Sequence, residues 1–86
     1  MSNAEHTLKR GESYPFDAPD GWWNSDGKNP QKSESWEQYA ARGVIADLTD
    51  RSGIKHGFNG IDEATRSEII GALAEIIKLA QQEFKP

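Results

Sequence analysis

Residues 62–84 read DEATRSEIIGALAEIIKLAQQEF, and this stretch carries the clearest structural signal in the chain of 86 residues. Its apolar residues recur every three or four positions, which predicts an amphipathic helix from about residue 62 to residue 84. Asp62 is the expected N-cap, and about 23 residues at ~1.5 Å each give a helix roughly 35 Å long. The apolar arc is about half the circumference wide, and the residues predicted to form an interface along it are Ile69, Leu73, Ile76, Ile77, Ala80 and Phe84.

A second helix is predicted just before this one, from about residue 36 to residue 51. Ser35 is its expected N-cap, with Gln38 at the third helical position of a capping box. Its apolar residues fall on two stripes, and Arg42 belongs to the small polar side that remains. A helix that is apolar in two directions is expected to lie between two neighbours.

Residues 53–60 separate the two predicted helices and contain three glycines, which favour a turn. The fold class predicted for the chain is therefore all-α. Residues 35–86 are expected to form an antiparallel two-helix hairpin domain.

Residues 1–34 have a different composition. They are rich in turn-forming residues and show no helical period, so an extended or partly disordered arm is predicted. Its four clustered aromatic residues, Tyr14, Phe16, Trp22 and Trp23, are expected to anchor it. The favoured arrangement is an arm lying across its own helices and covering their core. A hairpin pairing residues 12–17 with 21–24 and an arm that reaches another subunit or a partner remain open.

Two helices and a polar arm offer little surface to cover the broad apolar arc of residues 62–84. In a small hairpin, the free energy gained by burying apolar surface does not exceed the cost of the conformational entropy lost on folding. We therefore expect the core to be completed by homo-oligomerisation into a helical bundle, with a dimer favoured.

The composition excludes several function classes. The net charge is −4, with neither half basic, so neither nucleic acid nor an anionic membrane is an expected partner. The chain has no cysteine and two histidines, at positions far apart, so no metal site, cofactor or thiol chemistry is predicted. Neither a signal peptide nor a membrane span is evident, and a cytoplasmic location is expected.

Charged residues near the predicted turn could meet at one end of the hairpin. The favoured interpretation is a structural network, in which Asp47 pairs with Arg51 and either Asp47 or Asp50 pairs with Arg66. The alternative is a ligand-binding site for a nucleotide-like anion, built from Asp47, Arg51, His56 and Arg66. No catalytic residues are predicted, because the chain has no nucleophile motif or phosphate-binding loop.

Three segments together resemble short uncharacterised proteins of phage and prophage genomes: WEQYAARGVIADL at residues 36–48, GIKH at 53–56, and the predicted helix over 62–79. The similarity covers about half of the chain. It implies a small protein that binds a host protein or sequesters a small signalling molecule. The function predicted is therefore a non-enzymatic protein-interaction module that binds a host protein, and the alternative is a protein that sequesters a nucleotide-like anion.

Overall fold

The computed structural model describes residues 3–84. In that range, helices are joined by turns and loops, and there is no strand. The elements are α1 (Asn3–Ser13), α2 (Asp20–Trp23), α3 (Trp36–Thr49), a short 3-10 helix (Lys55–Phe58) and α4 (Glu63–Glu83). The predicted all-α class is confirmed. Among these helices, none combines the length and the hydropathy needed to cross a membrane.

The starts of α3 and α4 are fixed by the predicted caps. The Ser35 hydroxyl accepts a hydrogen bond from the Gln38 backbone N–H at 3.1 Å, and the Asp62 carboxylate accepts one from the Thr65 N–H at 3.3 Å. Hydrogen bonds from Thr65, first from its hydroxyl and then from its backbone N–H, hold the pKa of Asp62 below its ordinary value. Both helices lie within two residues of their predicted bounds.

The N-terminal segment differs from its prediction, because residues 3–13 form a helix. The prediction of extended backbone is wrong there. The helix packs along α3. Its own sequence, NAEHTLKRGES, is strongly polar, and its two apolar side chains, Ala4 and Leu8, are too few to distinguish a helix from a polar arm by apolar spacing. Its stability comes from the contact with α3, which sequence periodicity does not report.

Two glycines allow α1 and α3 to approach closely. A Cβ at Gly11 would lie 2.6 Å from the backbone carbonyl oxygen of Arg42, and a Cβ at Gly43 would lie 2.8 Å from a methyl group of Leu8. Neither helix could keep its position with larger side chains at these sites. The N-terminal segment is therefore part of the folded domain and packs against its own chain.

The core lies on the other side of α3, between α3 and α4. Ala41, Ile45 and Ile70 are buried at its centre. Half-buried apolar side chains surround them: Phe16, Leu48, Phe58, Ile69, Leu73, Ala74 and Ile77. Because α3 contacts α1 on one side and α4 on the other, its expected position between two neighbours is confirmed.

Candidate interaction surface and polar network

The C-terminal half of α4 presents apolar side chains that nothing in the described chain covers. Ile76, Leu79 and Phe84 are 61%, 48% and 88% exposed. Ala72 and Ala80 are also exposed and lie on the same side of the helix, within about 140° at ~100° per residue. We call Ala72, Ile76, Leu79, Ala80 and Phe84 the α4 face.

The structure divides the residues predicted to form an interface into two groups. Ile69, Leu73 and Ile77 are half-buried against the chain's own core. Ile76, Ala80 and Phe84 are exposed and belong to the α4 face. The apolar arc of α4 is thus wider than the surface that α3 covers.

The dimensions of the whole molecule also exceed those of a compact domain of the same length. The radius of gyration is 13.2 Å, against ~12 Å for a compact domain of 86 residues. The accessible surface is 6022 Å², about 900 Å² more than the ~5,100 Å² typical of a compact monomer of 9.6 kDa. The chain is elongated, with extents of 45 × 27 × 24 Å.

A buried polar network joins the N-terminal segment to α3, and Arg42 is its centre. Its side chain is only 4% exposed. The guanidinium forms a two-pronged ion pair with Asp17, at 2.8 and 3.3 Å, and reaches Glu12 at 3.3 Å. It also donates to the Ser33 hydroxyl and to the Gln31 carbonyl oxygen, both at 3.0 Å. Arg42 therefore binds three separate parts of the segment before α3.

Glu12 and Ser33 complete this network. The backbone N–H of Ser33 donates to Glu12 at 3.1 Å, and its hydroxyl donates to the same carboxylate. Burial raises the pKa of Glu12, but the hydrogen bonds from Ser33 and the charge of Arg42 outweigh burial and hold the pKa below its ordinary value. Within the described residues, no buried side-chain nitrogen or oxygen lacks a hydrogen-bond partner.

The sequence pattern placed Arg42 on the small polar side of the helix and missed its role in a buried network. Its partners Asp17 and Glu12 lie 25 and 30 residues away in the sequence. No local spacing marks such long-range pairs. The one available signal was the number of carboxylates in residues 1–34, which does not name the residue they bind.

The four residues of the predicted ligand site have different partners. Asp47 and Arg51 form the expected ion pair at 2.8 Å, which raises the pKa of Arg51, first through the hydrogen bond and then through the charge of Asp47. His56 is exposed in the 3-10 helix. Arg66 lies at the N-terminal segment, where it donates to the carbonyl oxygens of Phe16 and Ala18.

The predicted pairing of Arg66 with Asp47 or Asp50 is wrong. Arg66 forms its ion pair with Asp20 at 2.6 Å and also donates to the Ile61 carbonyl oxygen at 2.7 Å. Asp50 lies 3.8 Å from Arg10 of α1. Both differences have one cause: the N-terminal segment is folded onto the helices and supplies nearer partners.

The predicted aromatic anchors occupy distinct positions. Phe16 packs at the edge of the core, with its ring 5.6 Å from that of Phe58 in an edge-to-face arrangement. Trp22 and Trp23 stack edge-to-face on each other at 4.8 Å, and the Trp22 indole N–H donates to the Lys28 carbonyl oxygen. Tyr14 is largely exposed.

Residues 12–17 and 21–24 do not pair as strands, so the hairpin alternative is wrong.

Among residues 3–84, no group of three or more His, Cys, Asp and Glu side chains is arranged to hold a metal ion. Comparisons with protein-family models, with curated proteins and with solved structures gave no match.

Proposed function

We propose that this protein is a non-enzymatic interaction module that forms a homodimer through the α4 face. The observation that carries the proposal is the exposure of Ile76, Leu79 and Phe84 on one side of a helix whose adjoining side is already part of the core. Apolar patches of this kind are typical of protein interfaces.

The spacing along α4 suits packing against a second helix. Ala72, Ile76 and Leu79 of the α4 face follow one another at intervals of four and three residues, which is the spacing of a coiled-coil seam. This row lies on the exposed side of α4, beside Leu73 and Ile77, which pack against the core. A second copy would therefore extend the existing core.

The area available also fits a dimer. A stable interface of standard size buries ~800 Å² of each partner. The whole chain exposes about 900 Å² more surface than a compact monomer, and the α4 face is part of that surface. Under the proposal, α3 and α4 act as an antiparallel hairpin, and two hairpins form a helical bundle with the two α4 helices at its centre.

The non-enzymatic part of the proposal is supported by the way the ionisable groups are used. The Arg42 guanidinium is surrounded by Asp17, Glu12 and Ser33, and these contacts join segments of the fold. Arg66 likewise binds backbone carbonyls. Guanidinium groups engaged in this way stabilise the fold and have few donors left to bind a substrate.

The resemblance to phage and prophage proteins supports a further part of the proposal, namely that the dimer binds a host protein in the cytoplasm. The α4 face would then hold the two subunits together, and the partner would bind elsewhere on the dimer.

The alternative function, sequestration of a nucleotide-like anion at Asp47, Arg51, His56 and Arg66, has weaker support. Four hydrogen bonds already engage the Arg66 guanidinium.

The test replaces Ile76 with Asp and measures the mass in solution by light scattering at about 100 µM. Ile76 does not belong to the chain's own core, so the helical circular dichroism should be retained while the mass falls from about twice 9.6 kDa to 9.6 kDa. Gln82→Asp is the matched control, because it adds the same charge on the polar side of α4. A folded Ile76→Asp variant that keeps the dimer mass would contradict the proposal.

A further inference from the structure

A cavity of about 360 Å³ lies between α1, α3 and the 3-10 helix, on a different part of the molecule from the α4 face. Four aromatic side chains line it: Tyr14, Phe16, Trp23 and Phe58. Ile45 and Ala46 of α3 also line it. We call this space the aromatic cavity. Its volume is within the usual range for sites that bind small molecules.

The walls combine fixed and exposed aromatic rings. Phe16 and Phe58 contact each other edge-to-face and pack against the core, so their positions are constrained. Tyr14 and Trp23 remain 59% and 44% exposed. Aromatic side chains in the lining suit a flat aromatic guest, because rings stack or meet edge-to-face with additional gain beyond burial.

The charges around the cavity are all of one sign. Arg10, Arg42 and Lys55 line it, and none of its lining residues is acidic, although the chain has 14 acidic and 10 basic residues. The Arg42 guanidinium is occupied by the buried network. Arg10 and Lys55 are therefore the cations left to meet a ligand.

Both of these cations keep donors for an anion. Arg10 uses one terminal nitrogen to donate to the Ala46 carbonyl oxygen at 2.6 Å, and its other terminal nitrogen is only loosely paired, 3.8 Å from Asp50. Lys55 is exposed, and across residues 3–84 no carboxylate lies within ion-pair distance of its ammonium group. A carboxylate or phosphate group between Arg10 and Lys55 would accept charge-assisted hydrogen bonds.

We propose that the aromatic cavity binds a small flat aromatic molecule carrying one carboxylate or phosphate group. The ring lies among Tyr14, Phe16, Trp23 and Phe58, and the anionic group lies between Arg10 and Lys55. This site was not predicted from the sequence, because its residues come from four separate segments of the chain.

The experiment titrates the full chain with three probes that share a naphthalene ring: 2-naphthoate, 1-naphthyl phosphate and the neutral 2-naphthalenemethanol. Binding is followed by isothermal titration calorimetry, and its position by amide chemical shifts in NMR spectra. Small ligands of this size typically gain enough affinity for a dissociation constant of about 1 mM or lower. We expect at least one anionic probe to reach that affinity and to shift the amides of residues 54–59. A preference for one anionic probe over the other identifies the group as carboxylate or phosphate.

The variant Lys55→Ala tests the role of charge without disturbing the core. It should weaken the binding of the favoured anionic probe about fivefold, as expected for one partly screened ion pair, and leave the neutral probe unchanged. Lys78→Ala, on the polar side of α4, is the matched control and should have no effect. The proposal is overturned if the neutral probe binds as tightly as the anionic ones, if neither anionic probe binds at 1 mM, or if Lys55→Ala leaves anion binding unchanged.

Discussion

The two sides of α3 are completed in different ways. On one side, α1 and the segment before α3 are held by Arg42, whose hydrogen bonds reach Asp17, Glu12 and Ser33. On the other side, α4 covers Ile45 with its first half but leaves Ile76 and Leu79 exposed in its second half. On the first side, the polar groups have their partners within the chain. On the second side, apolar side chains of α4 remain exposed. The difference indicates which surface is structural and which is available to a partner.

The largest loss of stability is expected from removing Arg42, which joins α3 to the segment before it. Arg42→Ala leaves the nearly buried Asp17 carboxylate without its cation, and removing one partner of a buried pair costs about 3–5 kcal/mol. This is a large part of the total stability of a small domain. Urea unfolding followed by circular dichroism should show a much lower midpoint. Arg51→Ala removes an exposed ion pair with Asp47 at the C-terminal end of the same helix and should leave the midpoint unchanged.

Gly11→Ala should disturb the packing of α1 against the backbone of α3. The added Cβ would lie 2.6 Å from the Arg42 carbonyl oxygen, which belongs to rigid helix backbone and cannot move aside cheaply. Overpacking of this kind typically costs about 1–3 kcal/mol. Thermal unfolding of the variant measures the loss, and a melting temperature equal to that of the wild type would show that α1 does not pack as described.

Gly71→Ala makes the matching change on the polar side of α4. Apart from the neighbouring backbone of α4 itself, no described atom lies within 4 Å of the added Cβ, so the variant should gain about 0.5–1 kcal/mol from higher helix propensity. The same thermal experiment measures the gain. A loss of stability would mean that something packs against Gly71 in solution.

The smallest expected effect is on how stability depends on pH. The pKa of Glu12 is lower in the folded protein than its ordinary value, so this carboxylate contributes stability above the ordinary pKa and loses that contribution as the pH falls through the lowered one. Glu12→Gln should therefore be less stable than the wild type at neutral pH, and the difference should shrink below about pH 4. Urea midpoints between pH 7 and pH 3 test this. A difference that stays constant across the range would exclude Glu12 as the titrating group.

Part of the fold could be predicted because its signals are local. Ser35 and Asp62 mark the starts of α3 and α4 by capping chemistry that involves residues three positions away. The width of the apolar arc on α4 likewise follows from residue spacing alone. These features do not depend on the rest of the chain.

The missed features all depend on distant contacts. The helix α1 needs Gly11 against the backbone of α3, and the position of Arg66 needs carbonyl groups 48 and 50 residues earlier. The aromatic cavity likewise joins Tyr14 to Phe58 across the fold. Sequence spacing describes one element at a time, so it could not bring these residues together.

Under the proposed function, a second copy of the chain covers the α4 face. Sedimentation equilibrium of the unmodified chain, from about 1 to 100 µM, measures this directly because it gives the mass as a function of concentration. We expect the mass to reach about 19 kDa, twice the 9.6 kDa of one chain, at the upper end of this range. A mass of 9.6 kDa at every concentration would contradict the account.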